Sequence, residues 1–353
     1  MRCARVAVVA ALLTIAGAAR ADTPPSVWDR AKSPTEAEEF ELHEAVQRRL
    51  RGAGFGFDGE EENERIRALM RAEHARALAM LQAAGAEKSK NPLLRFDVAE
   101  AHQALRNFSR SAELYRSALA EFPNHPLADE AWRALAMACG YTGDHPCEIE
   151  AYDEVLRRET EDFQRGIPFL NLAESMMHQG DLRAAMDGYR EALRIASLLP
   201  SNTTSPLATW GLAVALDRSG EHGAAEKEAK FALELELSLG FRTPMRNNVP
   251  LVRSRSVFFV PDYEVNWYLG LGEIAMARRL SSPRAALLHW QEADRAFGRW
   301  IEGAEKRREK DRWLPMAKAR HARVKAEVVR AEAAVQKEPP AVHEDSASKT
   351  FHL

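Results

Sequence analysis

Glu174 and His178 stand one helical turn apart in the run AESMMHQG, a spacing that puts a carboxylate and an imidazole on one helix face. Such a pair can form a surface ion contact or, given a third ligand, hold a metal ion. Eleven histidines widen the search for acid–base or metal chemistry. The sequence contains no HExxH, no Cys/His cluster, no GxSxG turn and no glycine-rich phosphate loop between a strand and a helix. Glu60, Glu61 and Glu62 are neighbouring carboxylates, but they open a helix, where negative charge favours the helix dipole. The reading is therefore a non-enzyme, with no metal and no cofactor.

Two cysteines carry the remaining chemistry. Residues 1–21 have the pattern of a secretory signal: Arg2 and Arg5, an apolar run from Val6 to Ala19, and Ala19-Arg20-Ala21 as a small-x-small cleavage site. The apolar run is too short for a membrane anchor and meets Arg20. Export predicts a periplasmic or secreted protein without an integral membrane span, in an oxidising compartment. Cys3 leaves with the signal, so Cys139 and Cys147 remain, either as one disulfide across the turn YTGDHP or as two buried thiols.

With 353 residues, 46% hydrophobic and 29% charged, the chain can bury a sizeable core. Loss of Arg2, Arg5 and Arg20 takes the formal charge from −3 to −6, which gives no reason to expect nucleic acid or an anionic membrane as partner.

The elements that position these residues are helices. In the stretch GIPFLNLAESMMHQGDLRAAMDGYREALRIAS, from Gly166 to Ser197, Phe169, Leu172, Ala173 and Met176 fall at helical spacing, Gly180-Asp181 interrupts, and Ala185, Tyr189 and Ala192 resume it. The unit recurs. Tyr115, Tyr152 and Tyr189 stand 37 residues apart. A fourth copy keeps Leu212, Ala213, Leu216, Gly220 and Ala225 but has Ala229 in place of the tyrosine; a fifth carries Tyr268, Leu271, Gly272 and Trp290. Trp290 follows Ala229 by 61 residues, so the chain has gained an insertion there.

This pattern resembles the tetratricopeptide repeat (TPR), with a period of about 34 residues. The resemblance implies an all-α fold, an α-solenoid in which helix-turn-helix repeats wind as a right-handed superhelix, with capping helices at both ends. It divides the chain into a signal peptide (1–21), a flexible leader (22–32), capping helices or a degenerate repeat (33–90), repeats one to four (91–240), an inserted loop (241–263), repeat five (264–302), a carboxy-terminal extension and capping helix (303–338) and a disordered tail (339–353). Ser33, Pro34 and Glu36 are expected to start the first helix as a capping box, and Gly52 to end it. A second helix is expected from about Glu61 to Ala84, with Phe55 and Phe57 tucked against a neighbouring helix. The last helix is expected to begin near Pro315, with Ala317, His321, Val324, Val328, Ala331 and Val335 recurring at steps of three and four on its inner face and Lys318, Arg320, Arg323 and Lys325 facing outward.

In such repeats the first helices line a concave groove. Aligning the copies puts Phe96, Arg133, Leu170, Trp210 and Leu269 on that wall, with Glu100, Met137, Glu174, Val214 and Glu273 one turn further on. The family's clamp for a terminal carboxylate uses lysine, arginine and asparagine there, and only Arg133 fits it. Apolar anchors edged by carboxylates imply instead a protein or peptide partner, an apolar segment flanked by Lys or Arg. The insertion, FRTPMRNNVPLVRSRSVFFVPD, has a strand-like run from Ser256 to Val260. It either packs on the repeats as filling or shapes and lids the groove through Arg253, Arg255, Phe258 and Phe259. The expected function is a scaffold or adaptor of the cell envelope; the other reading is an envelope enzyme, or its accessory module, acting on wall material. Oligomeric state is not encoded in any of these features.

Overall fold

The computed structural model describes residues 34–51, 60–199, 202–240, 250–254 and 257–337. The signal and leader (1–32), the Ser33 cap, Phe55 and Phe57, most of the insertion with Arg255, and the tail (339–353) lie outside these residues. Among the described residues thirteen α-helices follow one another and no strand occurs. Two compact units are distinguished, one ending at Leu105 and one beginning at Arg106.

The first unit holds α1 (Pro34–Arg51), α2 (Glu60–Ala83) and α3 (Pro92–Ala104), which pack on one another. The boundary at Leu105 thus falls inside the expected first repeat and leaves α3 with the two amino-terminal helices. A buried polar knot accounts for this. Asp97 of α3, 1% exposed, pairs with His43 Nδ1 at 2.8 Å and accepts from Gln47 Nε2 at 3.0 Å, both on α1. Val46, Leu81, Leu94 and Val98, one or two from each of the three helices, are buried in the same unit. Asn91 caps α3, its side chain accepting from the Leu93 amide, with Pro92 in the first turn.

The second unit runs through α4 (Phe108–Glu121), α5 (Ala128–Thr142), α6 (His145–Arg158), α7 (Gly166–Gln179), α8 (Leu182–Ala196), α9 (Thr204–Arg218), α10 (His222–Ser238), α11 (Val265–Arg279), α12 (Pro283–Glu305) and α13 (Leu314–Gln336). Each helix packs on the next, and α7, α9 and α11 also pack in a row, which is the adjacency of stacked helix-turn-helix pairs. The fold is an α-solenoid of TPR-like repeats, closed at its carboxy-terminal end by α13 against α12.

Sequence makes the turns inside the pairs. Gly180 ends α7 at φ +91°, in the left-handed region where a Cβ costs about 1–2 kcal/mol. The amides of Gly180 and Asp181 then bond back to the Met177 and Met176 carbonyls, and the Asp181 carboxylate accepts from the Ala184 amide to start α8. Gly143-Asp144 repeats this between α5 and α6, with Asp144 accepting from Cys147.

The tyrosines that set the period are the pegs between repeats. Tyr115, Tyr152 and Tyr189 are 4%, 6% and 0% exposed. The Tyr189 ring lies so close over Gly211 of α9 that a Cβ there would stand 2.2 Å from it. Around α9 the burial is complete: every residue from Ala208 to Arg218 is inside. Arg218 pairs with Glu264 at 2.5 Å, both side chains fully buried, and its guanidinium lies 4.5 Å from the Trp267 ring and 5.0 Å from the Trp313 ring.

Two expectations are revised here. Arg320 does not point outward: it is 6% exposed, because α13 uses it to reach Asp217 at 3.1 Å and Glu226 at 3.2 Å. The run ending at Val260 is no strand over its described residues, 257–260, and a 3-10 turn, Leu251–Arg253, precedes it. Among the described residues there is no strand for it to pair with, and Phe258 and Phe259 pack on Tyr141 of α5 and Tyr268 of α11 instead.

Candidate functional site

The site lies where the inserted segment meets the first helices. Leu251 and Val252 are buried, and the Leu251 amide donates to Glu236 at 3.3 Å. Phe258 stacks on Tyr141 at 3.8 Å, and Tyr141 stacks in turn on Phe108 at 4.1 Å. Phe259 tilts against Tyr268 at 4.9 Å. Residues 252 and 257–260 thereby roof a cavity of about 140 Å³ whose floor is Leu170, Asn171, Glu174 and His178 of α7, with Gly140, His145, Glu148, Leu207 and Tyr268 at its sides.

Polar side chains converge on one end. Glu174 Oε2 accepts from the Tyr189 hydroxyl at 2.6 Å and from the Tyr268 hydroxyl at 2.7 Å. His178 Nε2 lies 3.3 Å from Oε1 of the same carboxylate. The His178 ring stacks on His145 at 4.6 Å, and His145 lies 3.5 Å from Glu148, which accepts from the Ser175 hydroxyl. Gly140 leaves the room that the Glu148 carboxylate fills, since a Cβ there would stand 2.8 Å from it.

Burial alone would raise the Glu174 carboxyl; hydrogen bonding and charge from His178, with the two tyrosine hydroxyls, outweigh it and hold the group at about 2. Burial would likewise lower His178, yet the carboxylate beside it leaves the imidazole raised. Burial first, and Glu174 second, push the hydroxyls of Tyr189 and Tyr268 well up, so both remain donors. The result is an anionic, fully ionised carboxylate facing a mostly apolar chamber.

The predicted groove residues divide among three settings. Leu170 and Glu174 line the cavity together with Phe258 and Phe259, which are the loop residues expected to contact it. Phe96, Trp210 and Val214 are 5%, 2% and 0% exposed and belong to the interior. Trp210 donates its indole N–H to Glu236 at 2.7 Å, and α9 has neighbours on every side, so neither it nor Val214 reaches an open wall. The others are half-exposed or open: Met137 is 41% exposed, Arg133 pairs with Glu159, Glu273 bonds His289 at 2.6 Å, Leu269 packs on the core, and Glu100 accepts from Gln47 at 2.7 Å. Arg253 is exposed.

Cys139 and Cys147 form a disulfide, their Cα atoms 5.8 Å apart across the α5–α6 turn. With Asp144 their atoms are close enough to suggest a metal site, but both sulfurs are committed to the bond. Three participants were missed in the sequence: His145, Tyr268 as a donor to Glu174, and the Arg218–Glu264 pair. Tyr268 was marked only as a repeat residue, and 94 positions separate it from Glu174.

No known protein-family model matches the chain. No curated protein is similar to it either. Among solved structures it is similar to a protein described as a kinesin light chain of Podosopora anserina with nearly identical TPR-like repeats, at 14% identity over 58% of this chain and 97% of that one, TM-score 0.43. It is also similar to the Cut9–Hcn1 hetero-tetramer of APC/C, at 15% identity over 81% of this chain, TM-score 0.37. A third is a Signal Transduction ATPase with Numerous Domains protein, with a tetratricopeptide repeat sensor, from Pyrococcus horikoshii, at 12% identity over 88% of this chain, TM-score 0.36. The chain spans about half the length of these last two, 52% of each. At such TM-scores the likenesses bear no weight, and the repeat assignment stands on the chain's own helix pairs. Among the described residues no helix is long and apolar enough to cross a membrane.

Proposed function

We propose that this protein is an exported, non-catalytic scaffold that binds an extended segment of another envelope protein along the open parts of its first helices α5, α7 and α11. The observation that carries the reading is the chain's own insertion. An apolar stretch that includes Arg253 lies across that face, burying Val252 and stacking Phe258 on Tyr141. A face that receives one such segment has the chemistry to receive another, and Glu148 and Glu174 beneath it favour a partner with Lys or Arg beside its apolar residues. Export rests on the amino-terminal pattern, and periplasmic or secreted placement follows from it.

Site-directed photocrosslinking tests the reading. A photoreactive residue at Met137 or Leu170 should capture a discrete envelope protein, and Glu174→Gln should weaken capture. The same residue at Phe231, exposed on α10, should not capture it. Equal capture from Phe231, or capture of an acidic segment unaffected by Glu174→Gln, would overturn the proposal. Sequencing of the mature amino terminus should begin at Asp22.

A further inference from the structure

The cavity beneath Phe258 has a polar end that the protein does not complete. Glu174 Oε2 is taken by two tyrosines, whereas Oε1, buried in the same wall, has His178 Nε2 at 3.3 Å as its one partner, although a carboxylate oxygen can accept two donors. His145, also on the cavity wall, turns its Nδ1 toward Glu148 Oε2, 3.5 Å away. A buried carboxylate oxygen with one long contact calls for a further donor, and the chamber is where one can come from. Two carboxylates, Glu148 and Glu174, stand against the single charge of His178, and Arg218 behind them is neutralised by Glu264. An anion is therefore disfavoured. Apart from Asn171 the rest of the lining is mainly apolar, with Leu170, Leu207, Val252, Phe259 and the Tyr268 ring among it, which suit an alkyl body and offer aromatic faces to a cation. An apolar cavity of about 150 Å³ holds benzene. At about 140 Å³, this one fits a ligand of about the same size.

We propose that this chamber binds a small organic cation, a primary ammonium on a short alkyl body, about six heavy atoms in all. The ammonium N–H groups donate to the Glu174 and Glu148 carboxylates, and the alkyl chain lies against Leu170, Leu207 and Phe259. Nothing in this depends on a protein partner, and the readout is direct.

The test is calorimetric titration of the mature chain with n-butylamine and 1,4-diaminobutane at pH 7, with butanoate and 1-butanol at matched ionic strength. Butylamine should bind saturably with a Kd on the order of 0.1–1 mM, as befits so few atoms. Glu174→Gln should weaken it about tenfold, the loss expected for one charge-assisted contact. Leu170→Phe fills the chamber without touching its charges and should abolish binding while circular dichroism stays unchanged; it serves if the glutamine variant does not fold. Butanoate or butanol binding as tightly as the amine would overturn the proposal. So would amine binding that survives Leu170→Phe, or a crystal of the amine-soaked protein with only water in the chamber.

Discussion

Gly211→Ala should be among the most damaging single-methyl changes in the second unit. The added Cβ would stand 2.2 Å from Cε1, 2.3 Å from Cζ and 2.8 Å from Cδ1 of Tyr189. Ordinary contact begins near 3.4 Å, so the ring must retreat by more than 1 Å. It has nowhere to go, since Tyr189 is 0% exposed and its hydroxyl is held 2.6 Å from Glu174. Overpacking costs about 1–3 kcal/mol, and pulling the hydroxyl off a carboxylate about 1.5–3 kcal/mol more. Alanine's helix propensity returns about 1 kcal/mol. The net is a destabilisation of about 1.5–5 kcal/mol. Tyr189→Ala alone should cost about 3–5 kcal/mol as a large-to-small change. In the double variant the new methyl occupies space the ring has vacated, so it should be no less stable than Tyr189→Ala, a coupling of about 1.5–5 kcal/mol. Urea unfolding followed by circular dichroism, accepted where the m-value is unchanged, measures all four corners. Gly223→Ala, with nothing within 4 Å, is the control and should be neutral or slightly stabilising. Strict additivity of Gly211→Ala and Tyr189→Ala, or a cost for Gly211→Ala under about 1 kcal/mol, would refute the peg-and-notch account.

Two further outcomes follow from the site. Glu174 is held at about 2 in the fold against 4.5 when free, and a depressed carboxyl contributes stability that is present above 4.5 and lost as pH falls toward 2. Over that window the wild-type chain should lose more stability than Glu174→Gln; parallel slopes would contradict the assignment. Breaking the Cys139–Cys147 bond, by reductant or by Cys147→Ser, opens a loop with a sequence separation of 8 and should cost about 2.5 kcal/mol. A urea midpoint indifferent to reductant would remove the bond from the account of stability.

The pairs of helices were legible because their signals are local. Gly180-Asp181 both stops α7 and starts α8 through bonds to its own neighbours, and the tyrosines sit at one depth because the repeat period returns them to one face. Which side of a first helix stays open is not local. Trp210 and Val214 were aligned to a groove wall, yet α9 is flanked by α7 and α11 and backed by α8 and α10. A cue was present: TWGLAVAL is apolar around the whole turn, the pattern of a helix buried on all sides. Arg320 misled in the opposite way, because a guanidinium on a terminal helix reads as solvated until its carboxylates, about a hundred positions earlier, are brought beside it.

Glu174 joins both lessons. Its place on the first-helix face followed from the repeat, whereas its role depends on Tyr189 from α8 and Tyr268 from α11 meeting on one oxygen, and no spacing rule predicts that meeting. One carboxylate therefore ties three helices together and also sets the charge of the chamber under the inserted segment. Changing it alone must move stability and ligand binding together. Only a variant such as Leu170→Phe, which alters the chamber and leaves the tie intact, can separate what Glu174 does for the fold from what it does for a ligand.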